Sequence, residues 1–149
     1  MIDPWLTHYI LDEAGNPKPE PDFRAWGRWY ERSMPERKVG DTTYTLSTEE
    51  IRISTVFLSM PHVSTRMGAD DGPMLYETMV FACDAILVQL VEMAEIETRS
   101  IFAQVFEHVD IQKRYKTKDE AIKGHQVMCE FVSACLPRLK MPEQAASEE

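Results

Sequence analysis

The chain has 149 residues, a net charge of −9 and three cysteines, a size that suits one domain able to bury roughly 68–70% of its unfolded surface. The acidic balance argues against nonspecific nucleic-acid binding, which needs cations to neutralise phosphates, and serves solubility instead. Cys83, Cys129 and Cys135 exclude both a paired disulfide framework and a CxxC zinc site, no run approaches the ~18 apolar residues of a membrane span, and MIDPWLTHYILDEAG lacks the pattern of a secretory leader, so a reduced, cytoplasmic protein is expected.

Residues 7–12, THYILD, read as a short strand, followed by turn residues in EAGNP. The three prolines of PKPEP predict an irregular, extended connector. Asp22 is placed to cap a helix whose apolar positions Phe23, Trp26 and Tyr30 recur at i, i+3 and i+7, with Arg24, Arg28, Glu31 and Arg32 on the outer face. That stripe is expected to pack on a sheet, leaving Trp29 as the aromatic residue turned outward. Residues 37–46 read as a strand with a bulge at Gly40.

Residues 51–60, IRISTVFLSM, and 74–81, MLYETMVF, are the clearest strands, β-branched and apolar on both faces, as in strands covered on two sides. Glu77 interrupts one of those faces. A carboxylate there lies at the rim, pairs with a cation or carries chemistry. Between the two strands, residues 61–73 form a loop longer than a hairpin needs, holding His62, Ser64, Thr65, Arg66, Asp70 and Asp71.

From residue 83 to about 107 the apolar pattern turns helical, although TRSIFAQVF also suits a strand. So wide an apolar face over residues 85–109 predicts a homo-oligomer interface. VDIQKRY alternates like a last strand, and Thr117 with Glu120 forms a T-x-x-E capping box that opens a helix running to about Cys135, stopped by Pro137. Together these elements predict an α+β domain over residues 1–140, a small antiparallel sheet packed with two or three helices, and a disordered acidic tail at 141–149. The strand at 7–12 is expected to join that sheet.

The Walker, dinucleotide, nucleophile-elbow and HExxH signatures are absent. His125 and Cys129 stand one helical turn apart, but two ligands do not make a metal site, so no metal and no cofactor are expected. His62 with Asp70 or Asp71 and Glu77 is the catalytic constellation to consider, the histidine acting as a base oriented by a carboxylate. For binding, Arg66, Arg28 and Trp29 combine cations with a stacking surface suited to a nucleotide-like ligand.

The blocks YILDEAGNPKPEP, W-x-x-W-Y-E at residues 26–31, ISTVFLSMPH, LYETMVF and RYKTKDEAIKGH resemble, in order, those of a family of small uncharacterised proteins encoded by bacteriophages and prophages. Residues 83–109 look like an insertion relative to that pattern. The family has no established activity, so no residue roles carry over. The resemblance implies a phage accessory protein in the bacterial host cytoplasm, with host processes or defence as its context. The expectation is a noncatalytic binder of a host protein or a small nucleotide-like ligand, against two alternatives: a small enzyme built on His62, and a virion or assembly component.

Overall fold

The computed structural model describes residue 4 and residues 7–61, 73–97 and 111–141, the side chains of 95–97 aside. It has an α+β architecture: a four-stranded antiparallel sheet, a separate two-stranded hairpin and helices packed on one face of the sheet. Residues 62–72, 98–110 and 142–149 lie outside the described residues, and with them the predicted loop site, the helix-or-strand segment and the tail.

The hairpin pairs β1 (His8–Leu11) with β2 (Pro17–Glu20), correcting two expectations. The proline-rich connector is a strand, and 7–12 does not join the main sheet. Register explains how prolines are admitted. Pro17 and Pro19 face Leu11 and Tyr9, whose alternation places them out of step with Asp12, which bonds back to Asn16 at 2.8 Å. The missing N–H groups therefore fall where the ladder makes no bond. The amide of Tyr9 points the other way, to the carbonyl of Ser59 at 2.7 Å.

Helix α1 (Phe23–Arg32) starts where the sequence places it, with the Asp22 carboxylate accepting from the amides of Arg24 and Ala25. Its facing differs. Phe23 is 64% exposed and Tyr30 38%, whereas Trp29 turns inward, its ring 6.0 Å from Phe57 in an edge-on contact. A two-stranded hairpin offers too little surface to bury the whole aromatic stripe, so the residue nearest the sheet takes the core position. A short turn of helix, α2 (Met34–Arg37), follows; its Arg37 guanidinium lies 3.8 Å over the Tyr30 ring.

The main sheet runs β3 (Lys38–Leu46), β4 (Glu49–Phe57), β5 (Tyr76–Phe81), β6 (Ile111–Tyr115), each antiparallel to the next. The register shifts between Lys38 and Gly40, the predicted bulge. Period-two alternation sends Ile51, Ile53, Thr55 and Phe57, with Tyr76, Thr78 and Val80, to the helix-covered face. Among the described residues the helices cover that face only, where the sequence suggested cover on both. Helix α3 (Asp84–Glu97) spends Ile86, Leu87, Leu90 and Ala94 on the protein's own core and leaves Val88 exposed. The described part of the proposed oligomer segment is thus largely consumed within the chain.

The long helix α4 (Lys118–Cys135) lies across all four strands. The forward half of the capping box forms as read, Thr117 accepting from the Glu120 amide at 3.1 Å, while the Glu120 carboxylate reaches one residue past the cap to the amide of Lys116 at 3.2 Å. The helix ends at Cys135, as expected ahead of Pro137, which sits in a closing 3₁₀ turn, Leu136–Arg138.

Candidate functional site at the interface of α4 and the sheet

Where α4 crosses β3, the bulge places Gly40 under His125. A Cβ at Gly40 would stand 2.7 Å from the imidazole, so glycine is what lets the ring approach the strand. The ring then meets two hydroxyls: His125 Nε2 is 2.9 Å from Thr42 Oγ1, and Nδ1 is 2.7 Å from Thr55 Oγ1. Thr55 is paired across the sheet with Thr78, oxygen to oxygen at 2.5 Å. Both threonines are fully buried.

A hydroxyl both donates and accepts, so either neutral tautomer of His125 is satisfied, the direction of every bond in the line reversing with the tautomer. Burial holds the His125 pKa below its usual value, with Asp41 pulling weakly the other way. The imidazole is therefore neutral near pH 7. With both ring nitrogens committed, it is a cross-strand tie. Beside it the Tyr44 hydroxyl donates to the Cys129 carbonyl at 3.3 Å, and among the described residues no three His, Cys, Asp or Glu side chains gather as a metal site.

At the β6 end, Tyr115 lies against the helix backbone at Gly124, where any Cβ would overlap the phenol ring. Tyr115 is 6% exposed, and burial raises its pKa. Thr78 comes close enough to temper that rise, yet its oxygen is engaged by Thr55, and no aligned hydrogen bond reaches the Tyr115 hydroxyl. The Tyr76 hydroxyl, on the neighbouring strand, is likewise buried without a hydrogen-bond partner among the described residues, its pKa also raised by burial.

Beside Tyr115 a cleft of about 360 Å³ opens between β6 and α4, walled by Tyr115, Gly124, Val127 and Met128 and flanked by Lys113 and Lys123. Neither lysine has an ion-pair partner among the described residues; Lys113 stands 5.8 Å from the centre of the Tyr115 ring. Glu120, also at the rim, is held by its capping role.

The residues singled out from sequence do not meet here. Glu77 faces Arg114 across β5 and β6 on the opposite face of the sheet, Oε2 to Nε at 2.8 Å, both side chains almost buried. The contact is a close ion pair without hydrogen-bond alignment at Nε. It gives Glu77 the cross-sheet cation that a structural carboxylate needs. His62, Arg66, Asp70 and Asp71 lie outside the described residues. Arg28 is exposed on α1, and Trp29 does not share a site with it: Trp29 lines a different hollow, of about 550 Å³, with Arg32 and Lys118 but also Asp12, Glu13 and Glu36. Those acids oppose an anionic ligand. The signals for the α4 cleft were the cations of QKRY on a strand and a glycine in mid-helix, which costs ~1 kcal/mol relative to alanine and so implies a close neighbour.

Comparison of the chain with protein-family models, with curated proteins and with solved structures found no match.

Proposed function

We propose that this is a noncatalytic binding protein, a phage accessory protein that acts in the host cytoplasm by holding a small ligand, with host defence as the process it opposes. The observation that supports this reading is how the acid–base groups of the described core are used. His125 is bonded at both nitrogens to threonines, and Glu77 stands against Arg114. A general base needs a free nitrogen or oxygen within reach of the proton it takes. The open cleft beside them is lined by lysines, a tyrosine and apolar side chains, the composition of a binding pocket.

The test is retention against turnover. The purified chain is incubated with a host metabolite extract, re-isolated and denatured, and the released small molecules are identified by mass spectrometry. The expected result is one species retained in stoichiometric amount and unchanged over time. Consumption of a metabolite in many-fold excess over protein overturns the reading in favour of an enzyme.

A second reading, capture of a host protein, is favoured by one feature. Phe23, Tyr30, Met34 and Met60 are all exposed around α1, with His8, Phe23, Trp26 and Tyr30 stacked at centroid distances of 4.6 to 5.6 Å.

A further inference from the structure

We infer that the cleft between β6 and α4 binds a small anion with a flat, apolar body, of the size and chemistry of a nucleoside monophosphate. The inference rests on the binding function proposed above and names its ligand class.

Three observations converge on the cleft. Its charge is local and positive in a chain of net charge −9: Lys113 and Lys123 flank it, and neither is paired within the described residues. Lysine is a compact point charge on a flexible stem, suited to a phosphate whose orientation is set elsewhere. The wall is apolar, made by the Tyr115 ring, Val127 and Met128; Val127 is 42% exposed, a surface cost that a ligand's planar face would remove. And the wall holds an unspent donor. The Tyr115 hydroxyl is buried against Gly124 in the same wall; Thr78, its near neighbour, is engaged by Thr55, and no aligned hydrogen bond reaches the phenol among the described residues. A buried O–H without an acceptor is unfavourable, and a ligand oxygen supplies one.

Volume narrows the class. About 360 Å³ stands at the small end of the roughly 300–1,000 Å³ of ligand pockets, which suits a mononucleotide better than a dinucleotide. Glu120 on the rim is a carboxylate and disfavours a ligand with several negative charges close to it.

The experiment is a ¹⁵N–¹H correlation titration of the full chain with each of the four common nucleoside monophosphates, with adenosine and with inorganic phosphate. At least one monophosphate is expected to shift the amides of Lys113, Tyr115 and Gly124 with saturation at low millimolar concentration or below, and adenosine and phosphate alone are expected to leave them unmoved. Replacing both lysines, Lys113→Gln with Lys123→Gln, weakens binding about tenfold, equivalent to ~1.4 kcal/mol. Tyr115→Phe separates ligand contact from structure. It leaves thermal stability unchanged or higher, because an unsatisfied hydroxyl is removed, while weakening binding about fivefold. Saturable shifts centred elsewhere, no shift with any monophosphate, or binding indifferent to the lysine pair overturns the inference. A chain that ignores every monophosphate yet still retains a metabolite from extract loses the ligand class and keeps the binding function; one that retains neither loses both.

Discussion

Helix α1 has four aromatic residues in ten and buries none of its side chains fully, whereas α4 has a single phenylalanine and buries five residues, Ala121, Met128, Phe131, Val132 and Cys135. The difference lies in what each helix rests on. Helix α1 rests on a two-stranded hairpin and touches the core chiefly through Trp29; α4 spans four strands, and two glycines let it come close, Gly40 beneath His125 and Gly124 above Tyr115. Burial follows the area available under a helix, not the apolar content of the helix itself. The closeness of α4 also creates its polar line and its cleft. A helix held that near a sheet must find partners for every hydroxyl and nitrogen it covers; among the described residues the hydroxyls of Tyr76 and Tyr115 are left over, and that of Tyr115 is at the cleft.

The sheet beneath α4 is the part most sensitive to losing a partner. Glu77→Ala leaves Arg114 nearly buried without its counter-ion and is expected to cost about 3 kcal/mol in urea unfolding, with the double variant lacking Arg114 as well recovering much of that loss. A loss below about 1 kcal/mol would mean that this pair is solvated and that the sheet tolerates an unpaired guanidinium.

Glycine substitutions divide the two helices by sign. Gly124→Ala places a methyl in the Tyr115 ring and should destabilise by about 2 kcal/mol even after the helix-propensity gain. Gly27→Ala on α1 meets nothing within 4 Å and should stabilise by about 0.5–1 kcal/mol. Equal effects from the two would remove the distinction between a helix pressed to its sheet and one resting loosely. The aromatic residues of α1 sharpen it further: Trp29→Ala is expected to cost about 1–2 kcal/mol by thermal melting, and Phe23→Ala less than about 0.5 kcal/mol, reversing the order that helical periodicity implies.

The smallest effect concerns pH. Burial lowers the folded-state pKa of His125 below the ordinary 6.5, so as pH falls below that value the unfolded chain takes up a proton before the folded one does. Stability from this group is therefore full above pH 6.5, declines as pH falls towards the folded pKa and levels off beneath it. His125→Gln should flatten the slope between pH 7 and 5 relative to the parent. An unchanged slope would show that other groups set it.

Much of the fold was legible in order along the chain. The Asp22 cap, the Gly40 bulge, the strands around Ile53 and Val80 and the Thr117–Glu120 capping box all rest on local rules, which involve residues within a few positions of one another. What local rules leave open is pairing. The prolines of β2 forbid regular structure by local rules, and only the register against β1 puts their missing amides in unbonded positions. Helical spacing groups Phe23, Trp26 and Tyr30 in one stripe and leaves Trp29 off it, but the nearness of Phe57 is what turns Trp29 inward. The α4 cleft was hidden for the same reason: Lys113, Tyr115 and Lys123 say little until β6 and α4 are laid side by side.

Legible in the sequence alone are an acidic α+β chain, where its main helices begin, which strand residues share a face, and that Glu77 interrupts an apolar face and so lies at the rim, pairs with a cation or carries chemistry. Those follow from periodicity, capping and the cost of burying charge. Tertiary structure alone decided that the cation is Arg114, that His125 ties Thr42 to Thr55 and that Tyr115 is left with a hydroxyl unspent beside two lysines. Each of these joins residues that are distant in sequence, and nothing in a residue's neighbours along the chain specifies which strand or helix is brought within hydrogen-bond reach of it.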